Sequence, residues 1–329
     1  MQMNRSINAI FEIKECTQFD ALALETFRFQ ANHCEVYKTY LDLLGIHSSK
    51  VNNVSKIPFL PVELFKTHTV YCGVEPAQQI FTSSATTGMT PAKHHIAKIS
   101  IYEESFTRSF RLFIGAPEHY SILALLPSYS ERSDSSLIYM VNQLMLQSGD
   151  SDNRYFLYNH EDLFHHLISL RNRKKTTLLF GVTFALLDFL NHYTIDFPDL
   201  EIIETGGMKG RGKEFTRKVL HQIISQGFGT NHIYSEYGMA ELLSQAYAKE
   251  GVLFMPPPWM AVFVRDMHDP FRFLANGQLG VINIIDLANR YSCSFIETQD
   301  MGIIHSNNCF EVTGRIPFSE LRGCNLLLE

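Results

Sequence analysis

Three short segments combine small, hydroxylated or glycine residues in patterns that suit an oxygen-rich ligand. The first, residues 81–90, reads FTSSATTGMT. Its hydroxyl groups can donate hydrogen bonds, and its small side chains leave backbone amides free to surround an anion. A P-loop needs GxxxxGK[ST], but here Gly88 is followed by Met-Thr-Pro-Ala. The segment therefore predicts either a phosphate-binding loop of another kind or a plain connection. Its hydroxyl donors are Ser83, Ser84, Thr86 and Thr87.

The second segment, ETGGMKGRGKEF, begins at residue 204 and contains the glycine pair Gly206-Gly207. Paired glycines allow a flat ring or a phosphate to come close to the backbone. The next helix is predicted to begin near Gly212, and basic side chains at its start favour an anion. The alternative is a glycine turn with solvated basic residues, which are Lys209, Arg211 and Lys213.

The third segment, HIYSEYGMAE, covers residues 232–241. A strand is predicted to end at Tyr237-Gly238, which places an aromatic ring beside a tight turn. Glu241 follows at the start of a predicted helix, where a carboxylate can hold a hard divalent cation. The alternative is a glutamate that only interacts with the helix macrodipole.

Other patterns do not indicate a site. In HEDLFHH, His160 and His165 are five residues apart and lie on different faces of a helix, which argues against zinc. The sequence contains no GxSxG, and no GxGxxG after a strand.

The elements that must position these segments alternate in type. Short apolar runs rich in β-branched residues predict strands, and amphipathic stretches between them predict helices. Such alternation is typical of a mostly parallel sheet covered on both faces, where ligands bind beyond the carboxyl ends of the strands. The predicted strands are 121–127, 176–181, 200–207, 231–238 and 280–287, and the predicted helices are 17–30, 35–45, 99–113, 135–147, 161–173, 182–193 and 212–227.

Two local patterns complete this prediction. Two prolines in the apolar run 54–66 predict an extended connector. The helix at 212–227 is predicted to bury one apolar stripe, formed by Phe215, Val219, Leu220, Ile223 and Ile224.

Composition limits the class of protein. The 329 residues carry a net charge of −6 without a long basic run, which argues against a nucleic-acid partner. No apolar stretch reaches the about 18 residues of a membrane span, and the first residues do not resemble a signal or transit peptide. Six cysteines without a CxxC pair predict reduced thiols in a cytoplasmic protein. The 25 phenylalanines predict a Phe-rich core or an apolar pocket.

Four segments, taken in order, resemble the core motifs of the adenylate-forming superfamily, which includes acyl-CoA synthetases, peptide-synthetase adenylation domains and firefly luciferase. They are TSSATTG, YSEYGMAE, ETQDMG (297–302) and TGR (313–315). Within that superfamily the chain resembles the acyl-protein synthetases, the long-chain fatty acid–luciferin-component ligases of bacterial luminescence and their relatives. The segments that carry this second resemblance, from about residue 50 to the C-terminus, are IPFLPVELFK, LLPSY, ETGGMKGR, HIYSEYGM and ELRGCNLL.

The resemblance implies an α/β fold, the large N-terminal domain of an adenylate-forming enzyme, with mostly parallel sheets flanked by helices. It implies that the small C-terminal domain with a catalytic lysine is absent. A helical N-terminal segment, 1–60, is expected to pack on a main domain at 61–329. The implied reaction joins a carboxylate and MgATP into an acyl-adenylate and pyrophosphate, and then moves the acyl group to a cysteine thiol.

The resemblance also implies roles for individual residues, and Glu241 is assigned to Mg²⁺. Asp300 is assigned to the ribose hydroxyls, and Arg315 lies near the ribose at the hinge. The residues assigned to the phosphates are Ser83, Ser84, Thr86, Thr87 and Gly88. Those assigned to the adenine are Gly206, Gly207 and Met208, with Tyr237 stacking on the ring beside Gly238.

Two positions bear on activity. Ala85 stands where the usual phosphate loop, SSGTTG, has glycine, and its methyl group restricts the backbone and can alter phosphate binding. Cys324 occupies the place of the acyl-accepting cysteine of the family. The alternative for Cys324 is a small buried side chain in a terminal strand.

These features predict an enzyme that uses ATP and Mg²⁺ to activate a fatty or other apolar carboxylic acid. The acyl group then moves to a thiol, which is Cys324, coenzyme A or a carrier protein. The alternative is a non-catalytic nucleotide-binding subunit of an acyl-transfer or reductase complex. A third possibility is a subunit that an acyl-carrier, reductase or transferase partner completes.

Overall fold

A computed structural model describes residues 7–83, 90–127, 130–206, 215–249, 251–305 and 308–316. The chain forms two compact units, one of residues 1–77, 95–97 and 258–329 and one of residues 78–94 and 98–257. The division into 1–60 and 61–329 stays a prediction. Gly88, Gly207, Met208 and Cys324 lie outside the described residues, as do Ser84, Ala85, Thr86 and Thr87.

The α-helices are α1 (Cys16–His33), α2 (Glu35–Leu43), α3 (Leu64–Thr67), α4 (Ile99–Phe113), α5 (Ser136–Ser148), α6 (His160–Asn172), α7 (Thr183–Leu190) and α8 (Arg217–Phe228). Short 3₁₀ turns occupy Ser48–Lys50, Val54–Lys56, Pro117–His119 and Leu287–Asn289. The strands are β1 (Leu60–Pro61), β2 (Gln79–Thr82), β3 (Lys93–Ile96), β4 (Ser121–Leu125), β5 (Arg154–Tyr155), β6 (Thr177–Val182), β7 (Glu201–Thr205), β8 (Ile233–Tyr237), β9 (Ala246–Lys249), β10 (Met260–Arg265), β11 (Leu279–Asp286), β12 (Phe295–Ile304) and β13 (Phe310–Arg315).

The second unit is built on a six-stranded sheet with the order β5-β4-β6-β7-β8-β9. Its first five strands are parallel, and β9 runs antiparallel to β8. Every residue of β4, β6 and β8 is buried, as expected for strands covered on both faces. The parallel sheet predicted from the alternating pattern is therefore present.

Local residue types explain where the helices of this unit begin and end. The Ser135 hydroxyl accepts a hydrogen bond from the Ile138 N–H at the start of α5, and Gly149 ends that helix with φ +64°. Thr216 and Gly229 occupy the same two positions in α8. Such capping pairs can be recognised in a sequence, and the predicted helices agree with the observed ones to within a few residues.

The apolar stripe predicted for α8 is wrong in part. Because α8 begins at Arg217, Phe215 precedes the helix and is 38% exposed, and Val219 is 42% exposed. The buried face instead repeats every four residues and extends beyond Gly227. Its members are Leu220, Ile224 and Phe228.

The first unit contains a mostly antiparallel sheet with the order β1-β12-β11-β10 and with β13 paired to β12. The run 280–287 is thus a strand, as predicted, but it lies in this antiparallel sheet rather than in the parallel one. The connector 54–66 contributes β1, which runs parallel to β12 at the sheet edge and contains Pro61, followed by α3. An edge tolerates proline because one side of the strand needs no ladder hydrogen bonds.

Helix α1 is fixed to this sheet by an aromatic contact and a buried amide. The rings of Phe27 and Phe295 lie 5.9 Å apart, edge to face. The Gln30 side chain donates to the Asn289 carbonyl oxygen at 2.9 Å and accepts from the Ser294 N–H at 3.0 Å. Both groups of this fully buried amide are therefore satisfied.

The α/β class predicted from the sequence is confirmed. In the part of the chain that the structure describes, no helix is long and apolar enough to cross a membrane.

Candidate functional site

The carboxyl ends of β7 and β8 bring two of the predicted adenine residues to one edge of the sheet. Thr205 and Glu236 are paired across these strands, so the residues that follow them, Gly206 and Tyr237, leave the sheet side by side. A Cβ atom on Gly206 would meet no described atom within 4 Å. Among the described residues, the backbone there has room for a close neighbour.

The segment after β8 forms a turn, and the helix predicted to begin at Glu241 is wrong. The Leu242 N–H donates to the Met239 carbonyl oxygen at 3.1 Å, and the chain then returns as β9 beside β8. The macrodipole alternative for Glu241 therefore no longer applies. Glu241 is 6% exposed and lies four residues beyond Tyr237 in this turn.

Gly238 at the start of the turn lies against the Glu236 carboxyl group. An ideal Cβ at Gly238 would lie 2.5 Å from Glu236 Oε1, so any side chain there displaces the Glu236 carboxyl group. The Tyr237 ring is 9% exposed and lies 5.7 Å from the Phe254 ring, tilted by 58°. The turn thus adjoins the Tyr237–Phe254 ring pair and the buried carboxyl group of Glu236.

Only one residue of the predicted phosphate loop, Ser83, lies in the described chain, and it makes two hydrogen bonds to Ala92. Its N–H donates to the Ala92 carbonyl oxygen at 3.0 Å, and its hydroxyl accepts from the Ala92 N–H at 2.9 Å. Next to it, the Thr82 N–H donates to the Asp134 carbonyl oxygen at 2.8 Å, and the Thr82 hydroxyl bonds the Asp134 carboxylate. The Ser83 hydroxyl keeps its own proton for donation.

The two predicted ribose residues lie in the first unit and contact each other. Asp300 and Arg315 are opposite each other in β12 and β13, and Arg315 Nε lies 3.3 Å from Asp300 Oδ1. The Arg315 side chain is 74% exposed, so solvent screens this ion pair. In the same motif, a Cβ on Gly302 would collide with the Glu311 carbonyl oxygen, which explains the glycine structurally.

A buried network around Glu204 was not predicted. Glu204 Oε1 accepts from Arg217 Nη1 at 2.6 Å and from the Ser235 hydroxyl at 2.5 Å. Oε2 accepts from the Thr183 hydroxyl at 3.1 Å, and His221 Nε2 lies 2.8 Å from the Ser235 oxygen. One carboxylate thus connects β7 and β8 to the first turns of α7 and α8.

The sequence contains a signal for this network. Glu204 interrupts EIIET, a run that otherwise reads as a buried parallel strand, and Arg217 and His221 are four residues apart on the next helix. A charge in such a strand requires donors nearby. Burial raises the pKa of Glu204, but contact with His221 and the Arg217 charge outweigh it, so the pKa lies below its ordinary value.

Glu236, the next residue after Ser235, has a pKa that is raised, whereas that of Glu204 is lowered. Its side chain points to the other face of the sheet because neighbouring residues of a strand alternate. Burial, followed by the negative charge of Glu204, raises the pKa of Glu236 to about 8. The two acids on adjacent strands are therefore ionised and neutral, respectively, at pH 7.

The family model described as "Acyl-protein synthetase, LuxE" matches residues 9–329, nearly the whole chain. The chain belongs to the LuxE acyl-protein synthetase family. The family resemblance seen in the sequence and the expectation of an enzyme of this type are thereby confirmed. A long-chain-fatty-acid–luciferin-component ligase of Aliivibrio fischeri is 25% identical, over 93% of this chain and 86% of its own.

Solved adenylate-forming enzymes share the fold. The open conformation of 2-hydroxyisobutyryl-CoA ligase, in complex with 2-HIB-AMP and CoA, matches 93% of this synthetase and 72% of its own chain. Its TM-score is 0.67 and its identity 13%. ATP-bound MatB from Rhodopseudomonas palustris matches 72% with a TM-score of 0.53 and 16% identity. The synthetase covers 47% of that MatB chain, about half its length.

Replacing Glu204 with Gln tests the buried network of the synthetase. We expect the free energy of unfolding to fall by about 2–3 kcal/mol, because Arg217 loses its counter-charge in a mostly buried position. Chemical denaturation measures this loss. Glu104→Gln, in an ion pair whose members are 46% and 47% exposed, is the matched control and should stay within about 0.5 kcal/mol. Losses of Glu204→Gln and Arg217→Met that simply add in the double variant would contradict the proposed coupling.

Glu236→Gln tests the raised pKa. Because the folded state holds the Glu236 proton up to about pH 8 while the unfolded chain releases it near 4.5, wild-type stability falls as pH rises through this window. The glutamine cannot ionise, so its stability relative to wild type should increase from pH 5 to pH 8, by at most about 1.4 kcal/mol per pH unit. Thermal unfolding at several pH values measures the difference. An offset that does not change with pH would refute the assignment.

Proposed function

We propose that this synthetase activates a carboxylic acid with ATP and transfers the acyl group to a thiol. The observation that carries this proposal is the family match over residues 9–329. The neighbouring positions of Gly206 and Tyr237 at the carboxyl ends of β7 and β8 support it. The relative from A. fischeri is named for a long-chain fatty acid, and the Phe-rich interior suits an apolar chain. A fatty or similar apolar acid is therefore the proposed substrate class.

In the first step, a substrate carboxylate oxygen attacks the α-phosphorus of ATP. The bond from this phosphorus to the bridging oxygen breaks, and pyrophosphate leaves with its electron pair. An anion attacks an anion here, so charge neutralisation and in-line positioning are the main contributions that a protein can make. Gly206 leaves space for the adenine and Tyr237 offers an aromatic ring beside it. Ser83 offers a hydroxyl at the start of the phosphate loop.

Glu241 suits a magnesium ion that arrives with ATP. Among the described residues, no group of three or more acidic, His or Cys side chains could hold a metal ion. Mg²⁺ usually keeps several waters and is held by one or two carboxylates together with substrate phosphates, so a single carboxylate is sufficient. When bound, the ion would neutralise phosphate charge. The proposed role of Glu241 is to fix its position.

In the second step, a thiolate attacks the acyl carbon of the adenylate. The carbon–oxygen bond to the phosphate breaks and AMP leaves, while the thiol proton passes to solvent. The proposed acceptor is Cys324, with coenzyme A or a carrier protein as the other outcomes of the test below. The ribose roles of Asp300 and Arg315, and the roles of the residues outside the described ranges, stay predictions.

Glu241→Gln tests the first step. With Mg²⁺, ATP, labelled pyrophosphate and a panel of fatty acids, wild type should exchange label into ATP. Glu241→Gln should lose more than about tenfold, the lower end of the range for losing even an outer-shell metal partner. Glu201→Gln, at the opposite end of β7, is the control and should retain activity. Binding of ATP without exchange for any acid would instead support a non-catalytic nucleotide-binding subunit.

Cys324→Ser tests the acceptor. The variant should keep the acid-dependent pyrophosphate exchange of wild type, because the first step does not use the thiol. It should lose the labelled acyl group that remains on the wild-type protein and is released by hydroxylamine. The buried Cys293 serves as the control position for Cys→Ser. Unchanged protein labelling in Cys324→Ser would exclude this acceptor and favour a carrier thiol.

A further inference from the structure

Four buried polar side chains in the second unit form a patch between α4 and the β8–β9 pair. We call Ser109, Glu236, Gln245 and Tyr247 the polar patch. Ser109 and Tyr247 are fully buried, and Gln245 and Glu236 are 3% and 8% exposed. The patch lies on the face of the sheet opposite to Glu204, since Glu236 and Ser235 point in opposite directions.

Contacts along α4 place these groups together. The hydroxyl oxygens of Ser105 and Ser244 lie 3.0 Å apart, and the rings of Phe113 and Tyr247 lie 5.8 Å apart. Ser109 is four residues from each of these α4 residues and so lies on the same helix face. Glu236 and Tyr247 are direct partners across β8 and β9, which brings their Cβ atoms within about 5.5 Å.

None of the four groups has a full set of hydrogen bonds. Among the described residues, the Ser109 hydroxyl, Gln245 Oε1 and the Tyr247 hydroxyl lack a partner. The pKa of the Glu236 carboxyl is set by burial and by the charge of Glu204, with no contribution from a hydrogen bond to a described residue. A buried polar group without a partner costs about 1–3 kcal/mol, and native structures contain few of them. Several in one place indicate that a polar guest completes them.

The chemistry of the patch limits that guest. Burial raises the pKa of Glu236 to about 8, so its carboxyl group is protonated at neutral pH and can donate. The two hydroxyls can donate or accept, and Gln245 Oε1 accepts. No Lys or Arg belongs to the patch, so a phosphate would find no counter-charge there. A neutral hydroxyl or carbonyl oxygen fits these partners.

The surroundings and position indicate the rest of the guest. Two aromatic side chains of α4 adjoin the patch, since the Phe113 ring contacts the Tyr247 ring and Tyr102 hydrogen-bonds the Gln245 side chain. The Phe106 ring lies 4.9 Å from the Tyr102 ring. The Glu236 carboxyl lies directly beneath Gly238, at the turn that carries Glu241. The patch thus lies between aromatic side chains and the turn of the proposed adenylation site. This position suits the acyl part of an acid substrate.

We propose that the polar patch binds an oxygen substituent of the acyl chain, so that the preferred substrate is a hydroxy or oxo acid rather than an unsubstituted fatty acid. The inference rests on the proposed function, because it concerns the acid that the same site activates. Glu236 and Tyr247 are then specificity-determining residues.

Pyrophosphate exchange with chain-matched acids tests this inference. The panel pairs saturated fatty acids with hydroxy and oxo acids of the same length, substituted at successive carbons. Wild type should show a kcat/KM at least about tenfold higher for one substituted acid, because a site built to bond an oxygen rejects the analogue without it. The double variant Glu236→Leu/Tyr247→Phe should reduce this ratio to about one.

Matched controls separate specificity from folding. Tyr247→Phe removes a hydroxyl without a described partner, and Glu236→Leu removes a buried acid whose ionisation is unfavourable, so thermal unfolding should show that the variant folds. Tyr120→Phe removes a tyrosine hydroxyl that is already bonded, to the Ile114 carbonyl oxygen, and should leave the ratio unchanged. If wild type has an equal or higher kcat/KM for the unsubstituted acid, the inference alone is overturned, and water is then the molecule that completes the patch. Absence of exchange with every acid would overturn the proposed function as well.

Discussion

The ion pair between Glu204 and Arg217 determines how the carboxyl edge of the second unit is built. Removing a carboxylate from water costs several kcal/mol, which the protein must offset with donors in good geometry. Here the donors come from three other elements: Thr183 of α7, Arg217 of α8 and Ser235 of β8. Because each must lie within hydrogen-bond distance of one carboxylate, the ends of β7 and β8 cannot shift independently. The glycine segment after β7 and the turn after β8 therefore start from fixed positions.

The second buried acid of the same sheet, Glu236, has a raised rather than a lowered pKa. Hydrogen bonds and the Arg217 charge lower the pKa of Glu204, whereas burial raises the pKa of Glu236, one residue beyond Ser235, to about 8. The negative charge of Glu204 contributes to this difference by disfavouring a second charge nearby. As a result, β8 has the neutral acid Glu236 on one face of the sheet, and on the other face it contacts the ionised Glu204, whose charge is paired with Arg217.

The sequence predicted those features that depend on local chemistry. Helix α4 was predicted with its observed bounds, because its amphipathic period is clear. The runs 200–207 and 231–238 were predicted as strands from their apolar, β-branched residues, and the observed strands end within two residues of the predicted ends, at Thr205 and Tyr237. The errors arose where tertiary structure decides. A turn and an antiparallel strand follow Gly238 because β9 pairs with β8, and Glu204 meets Arg217 and Ser235 only through strand order and helix packing. No periodicity within one segment contains that information.

The contrast between local pattern and tertiary structure also applies to the function, which has two parts: the class of reaction and the choice of acid. The class of reaction was indicated by short motifs whose local pattern can be recognised in order along the chain. The proposed choice of acid instead rests on which interior side chains are left without partners, and that can be known only after every other contact has formed. Ser109 and Tyr247 are 138 residues apart in the sequence, and nothing in either segment indicates that their hydroxyls share one patch. The proposed substrate preference is therefore argued from the folded core, whereas the family could be recognised in the chain.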